Sequence, residues 1–492
     1  MSDRRGEIFE VRLGPPGHGG FCVGRHDGRV VFVRHGLPGE LARVRVTEDR
    51  GGSFCRADAI EILEPSPDRI PATCPVSGPG GAGCCDFSYA TPAAQRALKA
   101  SVVAEQLRRI TGIERDVVVE PVAGSSPEET GGWRTRVRLA VDDQGRAGVH
   151  AHRGSRIITD LRCPQPVAGA MDAIADRLWT PDADLVVAVD GDGVRHIVEL
   201  APAVVAESGR AGAGRRDDRR RTGPGGRSAR GDFERGVRRA GGRRAAAGPE
   251  DDLRHESDRR TGEYGAVSAG RAASDRAGSE QRRGATARRA ATHAPRDEWV
   301  VGGSGRAVEY VAGRRWELSA TGFWQAHYGA AQCYSDLIAE WSGLRHGEVA
   351  WDLYSGVGVF AARLAEQVGP EGTVLAVESS RSSVADGQAA LRDLPWLDLR
   401  AGRVERWITD HVSGQVPEVV VLDPPRAGAG KEVIAALSEV GPARIVHIGC
   451  DPASFARDLG LYLAAGYRLT RLRAFDAFPG THHVECVALL EA

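Results

Sequence analysis

The stretch Trp351-Asp352-Leu353-Tyr354-Ser355-Gly356-Val357-Gly358-Val359-Phe360 passes from strand to helix within a few residues. Upstream, 348–353 reads as a buried strand; downstream, 361–368 reads as a helix. Between them the chain turns on Gly356 and Gly358, which let backbone approach a ligand where a side chain would block it. The next expected strand, 373–377, is closed by Glu378. In a doubly wound fold an acid at that point binds ribose hydroxyls. The missing third glycine and Asp352 before the turn disfavour a dinucleotide, so the phosphate-free S-adenosylmethionine fits better. The bland alternative is a strand-turn-helix with no ligand.

Working outward, residues 316–492 alternate helix and strand, the pattern of an α/β fold with a doubly wound, Rossmann-like parallel sheet. Further strands are expected at 419–422, 445–448, 467–474 and 484–490. Two of them end in chemistry. Asp423-Pro424-Pro425-Arg426 forms a rigid turn able to seat a planar base or amine beside a methyl donor. Amino-group methylases follow such prolines with an aromatic residue, so Arg426 argues against N-methylation. The run Ile445-Val446-His447-Ile448-Gly449-Cys450-Asp451-Pro452 ends its strand on Cys450. Taken alone, Cys450 suits packing as well as catalysis.

Beside the cofactor turn it acquires a use. Uracil carbon 5 is too weak a nucleophile to take a methyl group unaided. A thiolate adding to carbon 6 makes an enolate whose carbon 5 can attack a sulfonium methyl. The carbon 5 proton must then leave to a base, for which Glu485, in Phe478-Pro479-Gly480-Thr481-His482-His483-Val484-Glu485-Cys486, is the candidate. A strand-edge surface acid is the alternative for Glu485. Arg426 is the candidate for lowering the thiol pKa. His482, His483 and Cys486 match no common zinc spacing.

The chain has 492 residues, enough for two to four domains, and a net charge of −1. No stretch approaches the roughly 18 apolar residues of a membrane span. The first residues show no signal peptide, so a cytoplasmic protein without membrane contact, working as a monomer, is expected. Lysine occurs only at Lys99 and Lys431, a bias of genome composition more than function. Nine cysteines in such a chain are not a disulfide framework.

Residues 1–66 alternate short β-like runs with glycine turns and read as a small OB-like β-barrel. Arg12, Arg34, Arg43 and Arg45 on its strands are either a solvated face or a footprint for RNA. Residues 67–204 read as a central α+β module, with helices at 92–112 and 167–178 and strands at 117–119, 136–141 and 186–189. From 205 to 297 arginine, glycine and alanine dominate and no periodicity survives. Such a stretch cannot bury enough apolar area to offset chain entropy. An RNA-binding tail, a disordered insertion and a translated frameshift are the three readings. The ordered pattern resumes in 298–492, the methyltransferase-like domain, with strands at 299–301 and 307–311.

On Gly322-Phe323-Trp324-Gln325-Ala326-His327, the residues 352–360, Asp423-Pro424-Pro425-Arg426, Gly449-Cys450-Asp451-Pro452 and Glu485, the chain resembles the RNA 5-methyluridine (uracil-C5) methyltransferase family. The resemblance covers most of the chain outside 205–297. It implies cofactor contacts for Gln325, Tyr354, Glu378 and Asp423, the nucleophile role for Cys450 and the base role for Glu485. It implies transfer RNA or large-subunit ribosomal RNA as substrate. The barrel looks like the TRAM-type RNA-binding module of many members. His327 stands where the family often has Asn. Many members also hold a 4Fe-4S cluster on four cysteines, and Cys74, Cys84, Cys85 and Cys163 resemble that set, although Cys84 and Cys85 are adjacent. Two rival functions remain: a catalytically dead RNA-binding protein broken at 205–297, and a cytosine-C5 methyltransferase. The second usually places its cysteine after proline, which Gly449-Cys450 lacks.

Overall fold

The computed structural model describes residues 4–126, 128, 130–203, 296–412 and 414–492. The three readings of 205–297 therefore fall almost wholly outside the described residues.

Six strands open the chain: β1 (Ile8–Arg12), β2 (Pro16–Gly17), β3 (Phe21–His26), β4 (Arg29–Arg34), β5 (Leu41–Asp49) and β6 (Phe54–Glu64). They are ordered β1-β5-β6-β4-β3-β2, with β4 and β6 parallel and the other pairs antiparallel. The consecutive strands β1 and β2 occupy opposite edges, so the chain between them closes the sheet into a barrel. Strand alternation sends Ala42, Val44 and Val46 inward and leaves Arg43 and Arg45 on the outside.

Next come α1 (Pro92–Thr111), β7 (Val119–Pro121), β8 (Arg136–Val141), β9 (Ala147–His150), β10 (Ile157–Ile158), β11 (Asp184–Val189), β12 (Arg195–Leu200) and β13 (Glu298–Gly302). Thr91 caps α1 by accepting from the Ala94 N–H, and Gly112 ends it in the left-handed region. The central sheet runs β10-β9-β8-β11-β12-β13. Its last two strands pair antiparallel, Leu200 with Glu298, on either side of the undescribed residues. The helix expected at 167–178 is absent. Gly169 and Ala173 take positive φ, and the segment is a string of turns that still buries Ala170 and Ile174.

A hairpin, β14 (Arg306–Val311) and β15 (Arg314–Ser319), leads to the largest sheet. Its elements are α2 (Ala330–Ser342), β16 (Val349–Leu353), α3 (Val359–Val368), β17 (Thr373–Glu378), α4 (Arg381–Ala390), β18 (Leu397–Ala401), α5 (Val404–His411), β19 (Val419–Leu422), α6 (Gly430–Val440), β20 (Arg444–Gly449), α7 (Pro452–Ala464), β21 (Arg468–Asp476) and β22 (Glu485–Glu491). The order is β18-β17-β16-β19-β20-β22-β21-β7. β16 alternates its faces: Ala350 joins one core with Leu337 and Phe360, while Trp351 and Leu353 join the other with Trp407, Leu437 and Phe455.

The sheet is not purely parallel as expected. β22 is antiparallel to both neighbours because the link from β21 is too short for a crossover. The strand read at 117–119 also leaves the central module: β7 pairs parallel with β21 at the edge of the largest sheet. α1 goes with it, packing Val103 and Leu107 into the core beside α7.

Candidate active site

The strand order reverses between β16 and β19, and the carboxyl ends of these strands bound the crevice where open α/β sheets bind ligands. Asp352, buried at the end of β16, accepts from the Ala361 N–H at 2.8 Å and so fixes the start of α3, while its second oxygen is unpartnered. Gly356 and Gly358 have φ of +56° and +80°. Their roles differ. A Cβ on Gly356 would meet open space, whereas one on Gly358 would stand 2.7 Å from Leu391 Cδ1. Only Gly356 borders free volume; Gly358 serves packing. The Gly356 N–H donates to Glu378 Oε2 at 3.2 Å, so loop and acid form one unit. Tyr354 also has positive φ, and its ring leans on the core that contains Trp351.

Across the crevice, Gln325 Nε2 donates to Asp423 Oδ2 at 3.3 Å. Desolvation lifts the Asp423 carboxyl to about 7, against the Gln325 hydrogen bond. Cys450 follows the end of β20. Because β22 is antiparallel, its first residue, Glu485, begins at the same edge, one step beyond the Gly449–Cys486 pair. Burial, then Asp423, pushes Glu485 well above the usual carboxylate range. Burial, then Glu485 and Asp423, pushes the Cys450 thiol up to about 12, with Arg426 opposing. The lowered thiol pKa expected from Arg426 is not found, because one cation is outweighed by desolvation and several carboxylates. Arg426 instead donates to the neutral His483 ring at 2.8 Å. Burial holds that ring at about 2.

The loop before Glu485 is clamped from the first half of the chain. Lys99 Nζ donates to Asp476 Oδ1 at 2.5 Å and to the Phe478 carbonyl at 3.0 Å. The Phe87 N–H donates to the Gly480 carbonyl at 3.0 Å, and Gln95 Oε1 accepts from the Gly480 N–H at 2.7 Å. Asp86 joins Arg34 of the barrel, at 2.7 Å, to His482 Nδ1, at 2.5 Å. His18 of the barrel contacts Asp451. Arg34, Lys99 and His482 stood out in the sequence for other reasons, but none of these pairings did, because the sequence carries no signal for residues so far apart.

Cys74, Cys84, Cys85 and Cys163 do converge. The Cys85 thiol accepts from Gln165 Nε2 at 3.3 Å, and the neighbouring thiols of Cys163, Cys74 and Cys84 push its pKa up. The loop 76–82 folds back through the Ala82 N–H to the Val76 carbonyl, 2.7 Å, where a Cβ on Gly81 would collide. Cys74, Cys84 and Cys163 line a cavity of about 360 Å³ with Arg134 and His152. Among the described residues no group of three or more His, Cys, Asp or Glu is arranged to hold a metal ion.

Comparison with known proteins agrees with this geometry. A family model described as TRAM domain matches residues 3–59, and one described as tRNA (Uracil-5-)-methyltransferase matches residues 411–492. An uncharacterized RNA methyltransferase of Streptomyces coelicolor is 37% identical over 499 residues, covering 99% of this chain and 93% of its own length. The chain belongs to the S-adenosylmethionine-dependent RNA uracil-5-methyltransferase family. The methyltransferase is also similar to the 23S rRNA (uracil(1939)-C(5))-methyltransferase of Alkalilimnicola ehrlichii, 28% identical over 99% of this chain and 97% of that one. The solved Pyrococcus abyssi tRNA (uracil-54, C5)-methyltransferase, in complex with S-adenosyl-L-homocysteine, superposes with a TM-score of 0.59 at 19% identity, covering 98% of this chain and 100% of that one. That likeness is one of fold. Among the methyltransferase's described residues no helix is long and apolar enough to cross a membrane.

Proposed function

We propose that this chain methylates carbon 5 of a uridine in cytoplasmic transfer or ribosomal RNA, acting as a single chain through a covalent Cys450 adduct. The observation that carries the reading is the meeting of Cys450 and Glu485 at one sheet edge beside Asp423. The Cys450 thiolate bonds to uracil carbon 6, and the displaced π pair makes carbon 5 nucleophilic. Bound S-adenosylmethionine supplies the electrophilic methyl group. Gln325, Tyr354, Gly356, Gly358, Glu378 and Asp423 are assigned to its binding, with Glu378 toward the ribose and Gly358 acting by holding the loop. Glu485 then takes the carbon 5 proton, and the electron pair returns to expel Cys450 and restore the ring. The target base leaves its stack to reach this crevice.

In the free protein burial raises the pKa of both reactive groups, favouring their protonated forms. The four converging thiols fit a 4Fe-4S cluster in donor type and number, and we assign Cys74, Cys84, Cys85 and Cys163 to it. Such a cluster would tie the loop 74–85 to the segment around 163. Iron and sulfide analysis of anaerobically purified protein checks this; a colourless, iron-free protein would end the assignment.

Mass spectrometry of transfer and ribosomal RNA from a deletion strain tests the whole reading. Loss of 5-methyluridine at one position names the substrate, and an unchanged map rejects the activity.

A further inference from the structure

The barrel reaches the crevice through the loop between β2 and β3. At its tip, His18 Nε2 lies 3.0 Å from Asp451 Oδ2. Two residues on, Gly20 sits so close to Asp86 that a Cβ there would stand 2.8 Å from the carboxyl carbon. The loop is therefore seated on the residues that border the reaction centre.

Asp451 follows Cys450 and caps α7, its Oδ1 accepting from the Ala453 N–H at 3.1 Å and the Ser454 N–H at 3.0 Å. Its two oxygens have separate tasks: one fixes the helix start, the other is held by His18. The side chains are 29% and 23% exposed, so water does not fully screen the contact. Asp451 also stands with Glu485 and Asp423 among the carboxylates whose charge opposes a thiolate at Cys450.

We propose that His18 is a positioning residue for methyl transfer: its Nε2–H holds the Asp451 carboxylate, fixing the turn that presents Cys450 and screening a negative charge beside that thiol. The proposal rests on the reading of Cys450 as nucleophile. Asp451, His482, Arg109 and Arg426 all face His18, and burial keeps the ring neutral more readily than in water, so it serves as a hydrogen-bond donor. The barrel is thereby part of the active site as well as a module beside it.

The test compares His18→Ala and His18→Gln, each alone and combined with Asp451→Asn. The readouts are kcat, KM for an RNA substrate, and the pH profile of Cys450 alkylation followed by peptide mass spectrometry. His18→Ala lowers kcat roughly tenfold or more with KM unchanged, as expected for a misplaced reacting group. It also moves Cys450 alkylation to higher pH. His18→Gln, which offers an N–H at similar reach, restores most of both. In the Asp451→Asn background His18→Ala adds nothing further. An unchanged kcat, a loss confined to KM, or a loss undiminished beside Asp451→Asn overturns the proposal. If His18→Ala does not fold, His18→Leu fills the space and removes only the donor. Cys450→Ala separates the two readings. If it still methylates RNA, the nucleophile assignment fails; if it is dead while the His18 variants match wild type, only the His18 role fails.

Discussion

Cys450 and Glu485 stand opposite one another, each the residue just outside the Gly449–Cys486 pair that ends the antiparallel β20–β22 register. A parallel β22 would have put Glu485 at the far edge of the sheet. The hairpin between β21 and β22 therefore decides whether thiol and acid can serve one base.

Removing the acid without its shape separates the two halves of the reaction. With Glu485→Gln, carbon 5 gains its methyl group but keeps its proton, so the bond to Cys450 is not broken. Protein–RNA adducts resistant to denaturing electrophoresis accumulate, and Cys450→Ala forms none. Absence of adduct in Glu485→Gln, with normal turnover, would sink the base assignment.

The resting thiol should be unreactive. A pKa near 12, raised by burial and by Glu485 and Asp423, leaves on the order of a thousandfold less thiolate at neutral pH than an ordinary cysteine has. Alkylation of Cys450 in the free protein is slow at neutral pH and rises through the alkaline range. Glu485→Gln removes one opposing charge and shifts that rise to lower pH. Fast labelling at neutral pH would show that the crevice stabilises the thiolate in a way the static charges do not.

The two loop glycines should fail differently. Gly358→Ala meets Leu391 at 2.7 Å with φ of +80°, so it loses about 1–3 kcal/mol of stability and disturbs α3. Gly356→Ala carries only the left-handed backbone cost, about 1–2 kcal/mol, but projects a methyl group into open crevice. Calorimetric titration with S-adenosylhomocysteine should show Gly356→Ala losing affinity out of proportion to its change in Tm.

Lys99 is one of two lysines in the chain and fully buried. Lys99→Met leaves the Asp476 carboxylate without this donor, while the Phe478 carbonyl keeps the Thr481 N–H and hydroxyl. Breaking a buried pair from one side costs about 3–5 kcal/mol, to be read as a lower urea midpoint. Lys99→Met with Asp476→Leu recovers much of that stability, yet the 477–484 loop keeps one fewer anchor and kcat stays depressed.

By itself the sequence determined the strand-turn-helix at 351–360, the acid closing β17, the strand ends at Asp423 and Cys450, and the short strands of the barrel. All are local: a period of two or 3.6, a turn residue, or a motif read along one segment. The helix misread at 167–178 is a local error too, since positive φ at Gly169 and Ala173 interrupts a pattern that remains apolar. Tertiary structure decided what depends on distant residues meeting. It turned β22 antiparallel, moved α1 and β7 onto the catalytic sheet, gathered four cysteines despite their spacing, and set His18 and Asp86 of the first half against Asp451 and His482. It also reversed the expected thiol pKa, because desolvation and the sum of surrounding charges exist only once the crevice has closed around Cys450.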